Sequence, residues 1–417
     1  MGSEEAGDAR RRPVLASLTK YIPYEGIPHA GGQYVRTHYE VLRADMSVRE
    51  IAPDTPLNRE SLEERGDATE VTLVPGSGLL RSGRFKLLGD LDSAWAGSAV
   101  TRNIRMAFDG DGDAWRGLVD ADLIEFQWSE MLALAPVVRA RLPRIPLVGI
   151  AHDVITQRWC RAASTAPWPL GSGYRLAAAR SEPRERSSFE AVDVVIVFSE
   201  KDARLVRDLA PSARTEVVLP GLGPDPGEAI TRMPDSAEPI VLFTGALNRA
   251  DNHNAVMWFL EHVWPTVLAH APSARFVAAG AHPRPALQRT VERAPRAELT
   301  GFVDSLEPYY ARASVFVAPL FTGAGVKFKT IDALLRHVPT VSTPVGMEGI
   351  EAAESVADIA TSSDSFASSV VRALRMPDMD RARRAATWAE EHYGRRAFQN
   401  RLLSLYSALL DDGTSRR

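Results

Sequence analysis

Short apolar runs rich in β-branched residues alternate along this chain with longer segments of helical period, which predicts parallel sheets covered by helices on both faces. In the first half the runs are VLASLTKYI (14–22), MSVREIA (46–52), VTLVP (71–75), LIEFQ (123–127), PLVGIAHD (146–153) and DVVIVFS (193–199), and EVVLP (216–220) is expected to complete the sheet. The segment LPGLGPDPGEAITRMPDSAEP then breaks both periods with prolines and glycines and reads as a linker. Beyond it the alternation is more regular. PIVLFTG, ARFVAAG, AELTGFV, SVFVAPL and PTVSTP succeed one another with helical segments between them, as five strands of a Rossmann-like unit would. The first helix of this second unit carries Val256, Phe259, Leu260, Val263 and Val267 on one face, with Asp251 or Asn252 placed to cap its start. The last helices, from Asp378 to Leu410, carry Trp388, Tyr393, Phe398, Leu402, Leu405, Tyr406 and Leu409 with no strand after them, so they cover the second unit or cross back to the first.

A length of 417 residues suits two domains of ordinary size. The expected division is 1–225, a linker at 226–238, a second domain at 239–395 and a terminal helix at 396–417. With 45% hydrophobic and 24% charged residues, each half can bury a core. The net charge of -4 gives no overall attraction to nucleic acid or to an anionic surface, so any phosphate must be bound locally. Cys160 is the single cysteine, which excludes an intramolecular disulfide, fits a reducing compartment and reads as a buried, inert thiol. The start MGSEEAGDARRRPVLASL has too short an apolar run for a signal peptide, and Ala6 stands where a myristoylation signal needs Ser or Thr. The longest apolar stretch elsewhere, Val192 to Phe198, contains Asp193 and has the length of a strand, not of a membrane span. The expectation is a cytoplasmic enzyme without a transmembrane segment, peripheral membrane contact being left open.

The strongest local signal for chemistry is PLFTGAGVKFKTIDALLRHVPTVSTPVGMEG, from Pro319 to Gly349. It leaves a strand, passes Gly323 and Gly325, and enters a helix whose first turn holds Lys327 and Lys329. Backbone N–H groups at a helix start are unpaired and the helix dipole favours an anion there. Cations in that turn oppose the dipole unless a bound anion compensates, so the pair points to a phosphate; solvated lysines beside a flexible turn are the bland alternative.

This segment resembles the donor-binding region of retaining GT-B glycosyltransferases of family four, and the similarity runs from about Pro239 to Glu351. The resemblance implies two Rossmann-like parallel-sheet domains facing across a cleft, donor bound mainly to the second and acceptor mainly to the first. It further implies that Gly301, Phe302 and Val303 lie beside the nucleobase, that Gly323, Ala324, Gly325 and Val326 form the loop at the donor, that Lys327 and Lys329 meet the diphosphate, and that Asp332 accepts hydrogen bonds from the ribose. Lys327 would stabilise charge on the departing diphosphate. Two departures stand out. Where the family often carries glutamates eight residues apart, this chain has Ala324 and Asp332, and the first glycine of the domain, Gly245, is followed by Ala246 and Leu247 instead of a basic residue.

The first domain matches more loosely. Pro28, His29, Ala30, Gly31 and Gly32 form a glycine-rich turn before the helix QYVRTHYEVL, where backbone approaches the sugar or diphosphate in such transferases. His152 and Asp153 end strand PLVGIAHD on the edge where open α/β sheets bind ligands, and His152 matches a family histidine facing the donor sugar. Glu125, Gln127 and Trp128 end another strand on that edge and are candidates to hold an acceptor, with core packing as the alternative. FDGDGDAWRGLVD places Asp109, Asp111, Asp113 and Asp120 at calcium-loop spacing, but Ala114 replaces the required glycine and the last ligand is not Glu, so it reads as a solvated loop. No zinc spacing occurs and His282 is isolated. Nothing matches GxGxxG, since Gly76 and Gly78 are followed by Arg81, and Gly323 and Gly325 by Phe328, which argues against hydride transfer.

The reading is a glycosyltransferase moving a sugar from a nucleotide diphosphate donor to a glycan, lipid or small-molecule acceptor, with retention implied by the resemblance alone. The nucleotide sugar is substrate, and neither cofactor nor metal is expected. Its rivals are a nucleotide-sugar epimerase of the same fold and a non-catalytic partner subunit, to which Ala324 lends weight.

Overall fold

The computed structural model describes residues 11–25, 27, 30–66, 70–75, 102–109, 112–165, 167–223, 232–234, 237–322, 326–350 and 352–416. The chain divides into two compact units, one running to Val218 and including Asn400–Arg417, the other Leu219–Gln399.

The first unit is built on a seven-stranded sheet of β1 (Val14–Leu18), β2 (Ser47–Asp54), β3 (Val71–Pro75), β4 (Leu123–Gln127), β5 (Leu147–Ile150), β6 (Val194–Val197) and β7 (Thr215–Val217). Its order is β3-β2-β1-β4-β5-β6-β7 and every neighbouring pair is parallel. Strands β1, β4, β5 and β6 are buried at every position. Covered on both faces, they have no solvent side to alternate with, which is why they read as nearly unbroken apolar runs. The order reverses between β1 and β4, and the crevice at the carboxyl ends of those strands is where ligands of open α/β sheets bind.

The second unit repeats the plan with β8 (Ile240–Thr244), β9 (Arg275–Ala279), β10 (Ala297–Leu299), β11 (Ala313–Ala318), β12 (Thr340–Ser342) and β13 (Asp358–Ile359) in the parallel order β10-β9-β8-β11-β12-β13. The sixth strand was not expected. It is two residues long, and so short an element leaves no apolar run to detect.

Several local expectations differ from what is found. The first helix of the second unit ends at His262 and a separate one runs Trp264–His270, because Pro265 fits the first turn of a new helix and not the interior of an old one. That first helix has Arg249 at its cap position with no side-chain cap, so Asp251 and Asn252 both lie inside it. Asp113, expected in a solvated loop, begins a helix to Val119 that buries Trp115 and Leu118, while Asp111 lies outside the described residues. Cys160 is exposed, not buried: it stands on the outer side of the helix Ile155–Thr165 while its neighbour Trp159 turns inward.

Candidate functional site

In the second unit the chain leaves β8, β9 and β10 through Gly245, Gly280 and Gly301, at φ 144°, 159° and 71°. A side chain on Gly280 is impossible, since a Cβ there would lie 1.9 Å from the Gly245 carbonyl oxygen. Gly245 donates to the Ala279 carbonyl at 3.0 Å and Gly280 bridges to Gly301, so bare backbone converges at the strand ends and leaves room for a ligand. Across the order reversal, β11 leads to the helix Phe328–Leu335. Lys327 takes the cap position of this helix with no side-chain cap, and its first turn holds no acid, so the amino-terminal N–H groups are aimed forward without a carboxylate.

The two lysines are held differently. Lys327 is buried, and its Nζ lies 3.2 Å from Glu348 Oε2. Lys329 donates through Nζ to Asn252 Oδ1 and sits 4.5 Å from the centroid of the Phe243 ring. Asn252 Nδ2 in turn donates to the Ala246 carbonyl at 2.9 Å, which keeps its oxygen toward the lysine. Burial lowers the Lys329 pKa to about 7, with Asp251 opposing and the neighbouring cations Arg249 and Lys327 assisting. Asp332 accepts from Arg336 Nη1 at 3.0 Å, Arg336 reaches Glu307 at 2.7 Å, and burial pushes the Asp332 carboxyl up against the opposing pull of Arg336. Tyr310 underlies this group. Its ring is 4.8 Å from the Arg336 guanidinium, and its hydroxyl is 2.9 Å from Thr244 Oγ1.

In the first unit His152, two residues past β5, lies in an aromatic setting. Its ring stacks on Trp128 at 4.0 Å and 13°, and meets Tyr34 and Phe198 edge-on at 5.3 and 5.1 Å. Trp128 holds a backbone φ of 78°, a conformation costing a non-glycine residue about 1–3 kcal/mol, as strained residues at functional sites do. Gly31 makes the stack possible: a Cβ there would fall 2.0 Å from Trp128 Cη2. Gly31→Ala is therefore expected to force the indole off His152 and to cost about 1–3 kcal/mol by overpacking. A melting temperature and Trp emission matching wild type would show that the indole does not depend on this glycine.

Beneath His152 lies a buried polar network. Alternation along β4 puts Glu125 and Gln127 on one face, which the helix Ala30–Leu42 covers with Tyr34, His38 and Tyr39. Glu125 accepts from Ser17 at 2.6 Å, from Gln127 Nε2 at 3.2 Å and from Tyr406 of the terminal helix, and pairs with His38 Nε2 at 2.9 Å. Burial alone would raise the Glu125 pKa, but the His38 charge and the donated hydrogen bonds outweigh it and hold the carboxyl below its ordinary value. Because Gln127 turns its amide nitrogen to Glu125, its Oε1 faces His152 Nε2 at 3.4 Å.

Residues 238–376 match the family model described as glycosyl transferases group 1. The matched segment lies within the second unit. An uncharacterized 44.6 kDa protein from the cps region of Klebsiella pneumoniae is 28% identical over 117 residues, 26% of this chain and 30% of that one. The match thus spans less than a third of that relative's length. Among solved structures, sucrose-phosphate synthase from Thermosynechococcus elongatus superposes with TM-score 0.65 at 17% identity, covering 96% of this chain and all of that one (100%). Anabaena HepE in complex with UDP and glucose gives 0.61 at 13% identity over 95% of this chain and 100% of that one. WaaG, a glycosyltransferase involved in lipopolysaccharide biosynthesis, gives 0.58 at 16% over 93% and 98%. At these identities the likeness is one of fold, that of GT-B proteins with two Rossmann-like units in one chain.

Within the matched segment, Gly245, Gly301, Phe302, Val303, Val326, Lys327, Lys329 and Asp332 all follow the carboxyl ends of strands β8, β10 and β11. Phe302 is 61% exposed, free to lie against a planar ligand. Gly323, Ala324 and Gly325 lie outside the described residues, as do Pro28 and His29 of the first unit's turn. Gly31 and Gly32 lie inside the helix Ala30–Leu42 instead of in a turn before it. Glu125 and Gln127 require correction as acceptor contacts. Both are fully buried (0% exposed), and Glu125 is committed to its four partners, so of the trio only Trp128 retains accessible surface. Gly280, Asn252 and Glu348 were missed. Gly280 had a signal, a glycine ending the run ARFVAAG, but nothing local marks Asn252 or Glu348 as partners of the lysines. Among the described residues no cluster of three His, Cys, Asp or Glu is placed to hold a metal.

Proposed function

We propose that this chain is a glycosyltransferase of the GT-B fold, family four in type, that takes its sugar from a nucleoside diphosphate donor. The observation that carries the reading is the paired lysines at an uncapped helix amino terminus, facing glycine backbone at the reversal of a parallel sheet inside the matched segment. A diphosphate seated there would receive N–H groups from the helix start and charge from Lys327 and Lys329, and the same groups would stabilise the negative charge that grows as the sugar departs. Gly301–Val303 would take the base and Asp332 the ribose hydroxyls, exchanging part of its bond to Arg336. HepE was solved with UDP and glucose, which favours a uridine donor as the first to test.

The test is a thermal-shift screen against UDP, GDP, ADP and dTDP, because a ligand that binds only the native state raises its melting temperature; at 100 times Kd the gain is about 2.7 kcal/mol. No shift with any of the four would sink the reading.

His152 is assigned to the transferred sugar. His152→Ala is expected to lower turnover roughly a hundredfold or more while leaving nucleotide affinity nearly unchanged, as loss of a group acting in the transition state does. Unchanged turnover would make the histidine a packing residue of the aromatic cluster.

A further inference from the structure

Helices Ile155–Thr165 and Leu170–Glu190 fold against each other around a small core of their own, Ile155, Trp159, Ala177 and Ala178, with Tyr174 packed on it. Trp159 and Tyr174 stack at 5.7 Å. The Glu185 carboxylate accepts from the Ile155 and Thr156 backbone N–H groups at 2.7 and 2.9 Å, tying the start of the first helix to the body of the second. The hairpin is therefore a built element. Its far end nevertheless presents what a folded protein normally hides: the segment Pro167–Leu170 places Trp168 at 84% exposure and Leu170 at 52%, and Leu176 at 49% follows on the second helix. Trp168 is the most exposed large hydrophobic side chain among the described residues.

The charge of the same segment is one-sided. Between Asp153 and Glu182 there is no carboxylate, while Arg158, Arg161, Arg175 and Arg180 all fall there, in a chain whose net charge is -4. Arg158, Arg161 and Arg175 are exposed. Three apolar side chains cover far too little surface for a stable protein interface, which needs about 800 Å² on each partner. An exposed indole with leucines amid arginines is instead the composition that settles at a bilayer interface and is held there by anionic headgroups.

We propose that this hairpin docks the protein on an anionic lipid surface, with Trp168 and Leu170 entering the interface and the arginines facing the headgroups. The proposal stands independently of the donor site. Co-sedimentation of the full chain with vesicles of phosphatidylcholine and phosphatidylglycerol (7:3), against pure phosphatidylcholine, tests it. Binding is expected only to the mixed vesicles and should weaken with salt. Arg161→Ala with Arg175→Ala should reduce affinity about 25-fold, roughly fivefold for each charge. Trp168→Ala with Leu170→Ala should reduce it about tenfold or more. Both double variants alter exposed side chains and should keep the wild-type melting temperature. Met376→Ala, at a residue 79% exposed in the other unit, should bind like wild type. Absence of binding, equal binding to neutral vesicles, or indifference to the hairpin variants would overturn the proposal, and the last would assign lipid binding to another surface.

Discussion

Replacing Lys327 and Lys329 together by Ala is expected to weaken binding of the favoured nucleoside diphosphate a hundredfold or more while leaving the nucleoside nearly unaffected. Each charge-assisted hydrogen bond is worth about 1.5–3 kcal/mol, and two are lost. The loss is sharpened because Glu348, which now lies 3.2 Å from the Lys327 ammonium, would lose that cation while keeping its own negative charge near the site. Lys329 adds a pH signature. Its amine is held at about 7 by burial, so at pH 8 the empty site is mostly neutral there, and an incoming diphosphate draws a proton onto it. A nucleotide's terminal phosphate has finished titrating by then, its second pKa being about 6. Calorimetry at pH 8 in buffers of different ionisation enthalpy should therefore show uptake approaching one proton, and affinity should fall as pH rises above 7. Lys329→Met should abolish that uptake. For folding the sign runs the other way: the unfolded chain holds this proton between about pH 7 and the ordinary lysine value and the native one does not, so stability rises with pH across that window. Lys329→Met should thus bind nucleotide worse yet be no less stable below pH 7. Equal losses for nucleoside and nucleoside diphosphate, with no proton uptake, would reduce the lysines to parts of the fold.

Glu125→Ala should have the largest effect on stability, about 3–5 kcal/mol, because it strands His38 and leaves Ser17, Gln127 and Tyr406 without their common acceptor in a fully buried site. For a unit of this size that corresponds to a melting temperature lower by roughly 6–20 °C. The Glu125 pKa is depressed, so its contribution is fully present above the ordinary glutamate range near pH 4.3 and is lost as pH falls through the lower native value. Chemical denaturation of Glu125→Ala, His38→Leu and the double variant would measure the coupling directly. A single-variant loss below about 1 kcal/mol would show that the network is not held together by this carboxylate.

Much of this architecture is legible from the chain alone because it depends on local pattern. Runs such as VVIV and IVLFT are continuous where a strand is covered on both faces, and the passage from SVFVAPL through glycines to two lysines marks a helix start within residues 314–329. What the tertiary structure alone decided is which side chains meet. Tyr406 reaches Glu125 across 281 positions, and Lys329 reaches Asn252 across 77. Period-2 alternation says that Glu125 and Gln127 share a face, but on a strand buried on both sides it cannot say whether that face meets a ligand or a helix. The helix Ala30–Leu42 and the terminal helix supply the answer by covering it, which turns an acceptor candidate into the anchor of a buried network. Asn252 shows the same limit from the other side: an asparagine near a helix start suits a cap, yet the helix begins earlier, and the freed amide orients a lysine that burial has brought to the edge of losing its charge.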